Sequence, residues 1–181
     1  QEVFVSAKLP LQQMPPVQLE IPRTIQGIIN VAASGASAEK KSPPEVLIYL
    51  FPVDRLNSSA EKLAAVFSDP FTFHIPAVLN NEYWVQVESI PPGYYVKQIT
   101  SGGRDALLGT YFPSTQPLEI ELADEAPVIK GEVRDQDGQP LGGSTVLACQ
   151  IPCSADAAPN HLIRAQANAT GQFVVSGFPP G

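Results

Sequence analysis

Basic residues are scarce in this chain. Among 181 residues there are 11 Lys and Arg against 18 Asp and Glu, a formal net charge of −7. Such a chain repels a phosphate backbone and offers no basic patch to an anionic membrane surface, so nucleic-acid and membrane-surface binding are set aside. Long apolar runs are missing too. The longest, Val46-Leu47-Ile48-Tyr49-Leu50-Phe51, is far short of the ~20 residues that span a bilayer as a helix, so no membrane insertion is expected. There are two histidines, His74 and His161, and neither stands in a His-Glu-x-x-His or His-x-x-Glu pattern, so no metal centre and no cofactor is expected. Two unclustered histidines also make a poor acid–base pair, and no catalytic residue can be named. Asp135-x-Asp137-Gly138 resembles the start of a calcium loop, but its twelfth position is Val146 and not Glu, so it reads as a hairpin turn.

Proline and glycine, by contrast, are plentiful, at 19 and 13, and apolar residues make up 44%. Short β-branched and aromatic runs separated by Pro and Gly predict many turns and short strands. Strands are expected at 25–31, 46–51, 63–67, 71–75, 83–88, 95–99, 118–122, 128–133 and 144–150. A capping-box pattern at Ser58-x-x-Glu61 rivals this with a helix, but Ser68-Asp69-Pro70 reads as a turn and the similar segment 163–173 carries the hairpin turn Asn168-Ala169-Thr170-Gly171, so a hairpin is preferred, with at most one helical turn near Ser58–Glu61.

The sequence also repeats. Shifted by 100 residues, Val46-Leu47 falls on Val146-Leu147, Pro52 on Pro152, Leu63 on Ile163, Phe73 on Phe173 and Ile75 on Val175, without a gap. Shifted by 104, Ile25-Gln26-Gly27 falls on Ile129-Lys130-Gly131. The four extra residues fit in the polar stretch Ser34–Glu45. Val17-Gln18-Leu19-Glu20-Ile21 resembles Leu118-Glu119-Ile120-Glu121-Leu122, and Glu2-Val3-Phe4-Val5-Ser6 resembles Tyr95–Ile99. Residues 1–22 therefore read as terminal strands of a preceding repeat or as an added strand, 23–123 as a first β-sandwich module, and 127–181 as a second. A boundary is expected at Asp124–Pro127, where acidic residues and Pro cluster. The second module holds no counterpart of Tyr83–Leu122. Its closing Phe173-Val174-Val175 and Pro-Pro-Gly turn should lead into a further strand, so it reads as truncated, with an open edge available for strand exchange.

The run "IKGEVRDQDGQPLGGSTVLAC…ATGQFVVSGFPPG" resembles the carboxypeptidase regulatory-like module through Gly131, Val133, Asp135, Gly138, Pro140, Gly143, Val146, Gly171, Phe173, Pro180 and Gly181. The first repeat, with "SIPPGYYVKQITSGGRDALL", looks like a divergent copy of the kind found in tandem in large secreted bacterial proteins. The resemblance implies an all-β chain of tandem Greek-key, immunoglobulin- or transthyretin-like sandwiches, seven strands each. It further implies extracytoplasmic residence and a non-catalytic role as spacer or in protein or polysaccharide recognition. A catalytic transthyretin-like domain is the weakest alternative. The carbohydrate-binding-like label attached to such folds is analogy and names no site.

Two residue sets remain. Alternation in 83–88 places Trp84, Gln86 and Glu88 on the polar face of a strand. Trp84, the only tryptophan, either packs under a loop or at the contact between repeats, or forms a platform for glycan or protein with Gln86, Glu88 and Tyr94. Cys149 and Cys153 are not spaced as CxxC and read as structural thiols or a local disulfide. A bridge requires the chain to turn at Ile151-Pro152, because an extended strand rises ~3.3 Å per residue and would hold the two too far apart.

Overall fold

The structure, a computed structural model, describes residues 20–32, 42–53, 62–149, 160 and 162–180. All thirteen regular elements among them are strands. No helix among the described residues is long and apolar enough to cross a membrane. The capping-box segment Ser58–Glu61, His161, Cys153 and residues 1–19 lie outside the described residues.

Nine strands build the first unit: β1 (Arg23–Val31), β2 (Leu47–Pro52), β3 (Leu63–Ala64), β4 (Val66–Asp69), β5 (Thr72–Val78), β6 (Tyr83–Glu88), β7 (Tyr94–Ser101), β8 (Arg104–Asp105) and β9 (Leu118–Asp124). They form a six-stranded sheet, β4-β5-β1-β9-β7-β8, and a three-stranded sheet, β3-β2-β6. Alternation decides which side chains meet between the sheets. Ile25, Ile29, Phe73, Ile75, Ile99, Leu118, Ile120 and Leu122 of the larger sheet and Ile48, Leu50, Val85 and Val87 of the smaller are buried in one cluster. On β9, Glu119 and Glu121 take the intervening positions, and Glu121 meets Lys97 at 3.0 Å. The result is an all-β, sandwich-like unit, with more strands than the seven that the resemblance implies.

One extra strand comes from local turn chemistry and another from a switch between the sheets. Ser101 pairs with Arg104 across Gly102-Gly103, both at positive φ. Two left-handed residues give the turn whose twist matches a hairpin, which is why β8 folds back on β7. The run 63–67, expected as one strand, is two. Leu63 and Ala64 pair with β2 in the smaller sheet, Ala65 donates its N–H to Ile48 O, and from Val66 the chain pairs with β5 in the larger sheet. The following hairpin forms as expected. Asp69 Oδ1 accepts the N–H groups of Phe71 and Thr72 and fixes the turn.

β1 and β9, the two ends of the unit, pair in parallel from Gly27–Leu118 to Val31–Leu122. Parallel neighbours need a long crossover, and here the crossover is the remainder of the unit.

Four strands make the second unit: β10 (Ile129–Glu132), β11 (Thr145–Cys149), β12 (Leu162–Gln166) and β13 (Gln172–Val175). They pair as β10-β13 and β11-β12. The repeat is visible in three dimensions at one cross-strand pair. Gly27 stands opposite Phe73 in the first unit and Gly131 opposite Phe173 in the second. In both, the phenyl ring lies over the glycine so closely that a Cβ would collide with it, at 2.0 Å and 2.4 Å. Backbone bonds repeat as well: Ile29 donates to Phe71 O, and Val133 to Gly171 O. The second hairpin uses Asn168 Oδ1 as the first uses Asp69, accepting from Thr170 and Gln172 N–H. The copies differ at β11-β12, where Ile163 faces Ala148 and not Gln150. A two-residue shift leaves every side chain on its original face.

The inner face of the second unit is barely covered. Val133, Val146, Ala148, Ile163, Ala165 and Phe173 are only partly buried, while Ala167, Val175 and Phe178 are buried. Its first hairpin closes as expected: Arg134 bridges Pro140, and Asp135 Oδ1 accepts the N–H groups of Asp137 and Gln139. That carboxylate oxygen is committed to the turn, in keeping with the hairpin reading of 135–138. The connection between the units is less free than its Pro and acidic content suggests. Ala126 is buried and donates to Gly93 O, and Glu125 takes a positive φ to bring it there.

Candidate functional site

Strand β6 is one edge of the smaller sheet, and its outer edge carries backbone groups that need partners. Two non-strand residues supply them. Tyr83 and Tyr111 exchange backbone hydrogen bonds at 2.9 and 2.7 Å. Further along the same edge, the Asn160 side chain receives the Val87 N–H at 3.1 Å and donates to Val85 O at 2.7 Å. A carboxamide has one acceptor and one donor at the spacing of a peptide group, so Asn160 acts as a one-residue strand. It belongs to the segment leading into β12 and so ties the second unit to the first. Burial raises the pKa of the Tyr83 phenol, and likewise that of Tyr111.

Beside this tie lies a cleft of about 410 Å³. The first unit contributes Val87, Ile90, Val96 and Leu107 to it, the second Ile163 and Val175, with Glu88, Lys97 and Arg164 among the charged lining residues. Part of the sparsely covered face of the second unit thus opens onto the first. Apolar walls with a few charges can hold an apolar group or a peptide side chain. Among the described residues no three His, Cys, Asp or Glu gather as metal ligands.

The second candidate surface is the outer face of β2-β6. Phe51 stands opposite Trp84, Tyr49 opposite Gln86 and Leu47 opposite Glu88. Tyr83, Val85 and Val87 are buried while Trp84, Gln86 and Glu88 are partly buried, so the alternation read from 83–88 holds. The Tyr49 and Phe51 rings meet edge-on at 6.2 Å, and the Lys62 ammonium sits 3.8 Å from the Tyr49 ring centre and 4.0 Å from Glu88. The structure does not bring Tyr94 to this face. Tyr94 starts β7 in the other sheet, opposite Asp124. Tyr49 and Phe51 take the place beside Trp84 that the sequence reading gave to nearby tyrosines. Period-2 alternation in 46–51 was the signal that could have found them.

Cys149 ends β11 opposite Leu162 and is a disulfide cysteine, not a free thiol. Cys153 lies outside the described residues. His74 is partly buried in β5 between Gln26 and Val66. Asn160 carried no signal in the sequence, because a lone Asn between Pro159 and His161 looks like any loop residue. No family model, curated protein or solved structure matches this chain.

Proposed function

We propose that the chain is a pair of non-catalytic β-sandwich modules of the carboxypeptidase regulatory-like, transthyretin-like kind, which hold the neighbouring parts of a larger extracytoplasmic protein at a set distance and orientation. The observation that carries this reading is the Asn160 tie. Its two hydrogen bonds to Val85 and Val87, with the Ala126–Gly93 bond, fix the second unit on the first at separate points. A spacer needs such a joint, since a free linker would let the modules tumble independently. A disulfide at Cys149 accords with an oxidising compartment outside the cytoplasm. On this reading the chain is not an enzyme and uses no cofactor. Spin labels placed on exposed Gln26 and Gln166 test it. One narrow distance distribution in the intact chain, broadened by Asn160→Ala, is the expected result, and a broad distribution in the intact chain refutes the spacer.

A second reading is favoured by the row Tyr49, Phe51 and Trp84. Sugar rings stack their C–H faces on flat aromatics, and Gln86 and Glu88 are placed to bond hydroxyls. In this reading the smaller sheet's outer face recognises a polysaccharide. Trp84 emission that shifts on adding soluble polysaccharide, and a shift lost in Phe51→Ala, supports it. Emission indifferent to every polysaccharide tried removes it and leaves the spacer intact.

A further inference from the structure

We propose that Asn168 is the attachment site of an N-linked oligosaccharide, carried on its side-chain nitrogen. Four turns among the described residues are fixed in one way, by a side-chain oxygen that accepts the N–H two residues on. Asp69 accepts from Phe71, Asp105 from Leu107, Asp135 from Asp137 and Asn168 from Thr170. Three of the four use a carboxylate, so the turn asks for an acceptor oxygen and not for an amide. At Asn168 the oxygen does all of that work, and it also accepts the Gln172 N–H at 3.0 Å. The nitrogen is surplus to the fold. Among the described residues no hydrogen bond reaches it.

The sequence singles out the same residue. Asn168-Ala169-Thr170 has a hydroxyl two places after the amide and no Pro between them, the pattern that accepts a glycan on Asn. In the other three turns the hydroxyl position holds Phe71, Leu107 or Asp137. Asn168, Ala169 and Thr170 are all exposed, at the tip of the β12–β13 hairpin. Thr170 Oγ1 donates to Asn168 Oδ1 at 2.8 Å, so the hydroxyl and the amide that a transferase must read together lie side by side. Oδ1 and Nδ2 diverge from one carbon. With the oxygen turned in to the backbone, the nitrogen is turned out to solvent. A substituted amide keeps its oxygen, so a glycan on Nδ2 leaves every bond of the turn in place.

The donor is an oligosaccharide joined through its anomeric carbon to a lipid diphosphate. Asn168 Nδ2 attacks that carbon. The C–N bond forms as the C–O bond to the diphosphate breaks, and the diphosphate leaves with the electron pair. The nitrogen passes one of its two protons to a base of the transferase, and nothing is oxidised or reduced. The compartment in which this happens rests on the extracytoplasmic reading above, with which the disulfide at Cys149 accords.

Mass spectrometry of the protein purified from the cells that make it tests this. Expected is a tryptic peptide, beginning at Ala165, that is heavier by an oligosaccharide whose fragments place it on Asn168. Asn168→Asp keeps the turn oxygen, as Asp69 does in the first unit, and should fold like the parent while losing the added mass completely. Thr170→Ser should keep the mass, and Thr170→Ala should lose it although Asn168 is still present. A bare Asn168 in a chain whose Cys149 is disulfide-bonded overturns the proposal and leaves the spacer reading in place. A bare Asn168 together with a reduced Cys149 overturns the proposal and also removes the support that the disulfide lends to export.

Discussion

Replacing Gly27 by alanine would separate the two copies of the repeat energetically. An ideal Cβ at Gly27 would lie 2.0, 2.2 and 2.6 Å from three atoms of the Phe73 ring, whereas ordinary contact begins near 3.4 Å. The ring would have to retreat by at least 1.4 Å, the difference between 3.4 and 2.0. Phe73 is 1% exposed, with the Phe67 ring 5.7 Å away, and has little room to move. Overpacking a closed core costs about 1–3 kcal/mol and sometimes more. The unfolded-chain entropy that Ala relieves returns only about 0.5–1 kcal/mol. Gly27→Ala should therefore destabilise the first unit by roughly 1–3 kcal/mol. At Gly131 the overlap is nearly as severe, at 2.4 and 2.6 Å, but Phe173 is only partly buried and can turn outward. Gly131→Ala should stay within about 1 kcal/mol of the parent, the usual range for a site that can relax. Urea unfolding followed by Trp84 fluorescence and far-UV circular dichroism measures both. Phe73→Leu in the Gly27→Ala background should recover part of the loss, giving a non-additive pair. Equal costs at the two glycines, or a Gly27→Ala chain as stable as its parent, would refute the reasoning.

Three more outcomes follow from other residues. Asn160→Ala removes two hydrogen bonds of about 0.5–1.5 kcal/mol net each, so Val87 amide exchange should quicken roughly ten- to a hundredfold while exchange in β1 and β9 is unchanged. Asn160→Asp should keep the Val87 contact but place a carboxylate against Val85 O, loosening the joint although the side chain is the same size. Burial raises the Tyr83 and Tyr111 pKa values above the ordinary 10.0, so both are neutral in the fold. Their contribution is complete below pH 10, the unfolded value, and is lost as pH rises through the higher folded values. Thermal unfolding should thus show a steepening loss of stability above about pH 10, and Tyr111→Phe should flatten it.

Much of the fold could be read from the sequence because its signals are local. Alternation in 83–88 and 118–122 assigned each side chain to core or surface, and both strands bury the residues that it named. The offsets of 104 and 100 paired Gly27 with Gly131 and Phe73 with Phe173, and the structure stacks each glycine under its own phenyl ring. Period alone could not show the sheet switch at Ala65. A strand keeps its alternation while changing neighbours, and the Ile48–Ala65 bond that turns it is a tertiary contact. Tyr94 was grouped with Trp84 because the two are close in sequence, but the turn at Pro92-Gly93 carries Tyr94 into the opposite sheet. Asn160 escaped notice because its role depends on an edge more than seventy residues earlier.

The parallel pairing of β1 with β9 has a bearing on how the chain is made. β1 is the first strand of its unit to be synthesised, yet its partner from Leu118 onward is the last. With Gly27 and Leu118 roughly ninety residues apart and translation at about 5–20 residues per second, one side of β1 stays unpaired for roughly 5–20 s. During that interval the hairpin with β5 can form, but the apolar face of Ile25 and Ile29 awaits its final neighbour. A nascent unit in that state is a substrate for chaperones and for neighbouring nascent chains. In a tandem array each newly made unit repeats the exposure. Slowing synthesis downstream of β5 should lower the yield of folded protein, and supplying β9 early, by circular permutation that places it ahead of β1, should raise it.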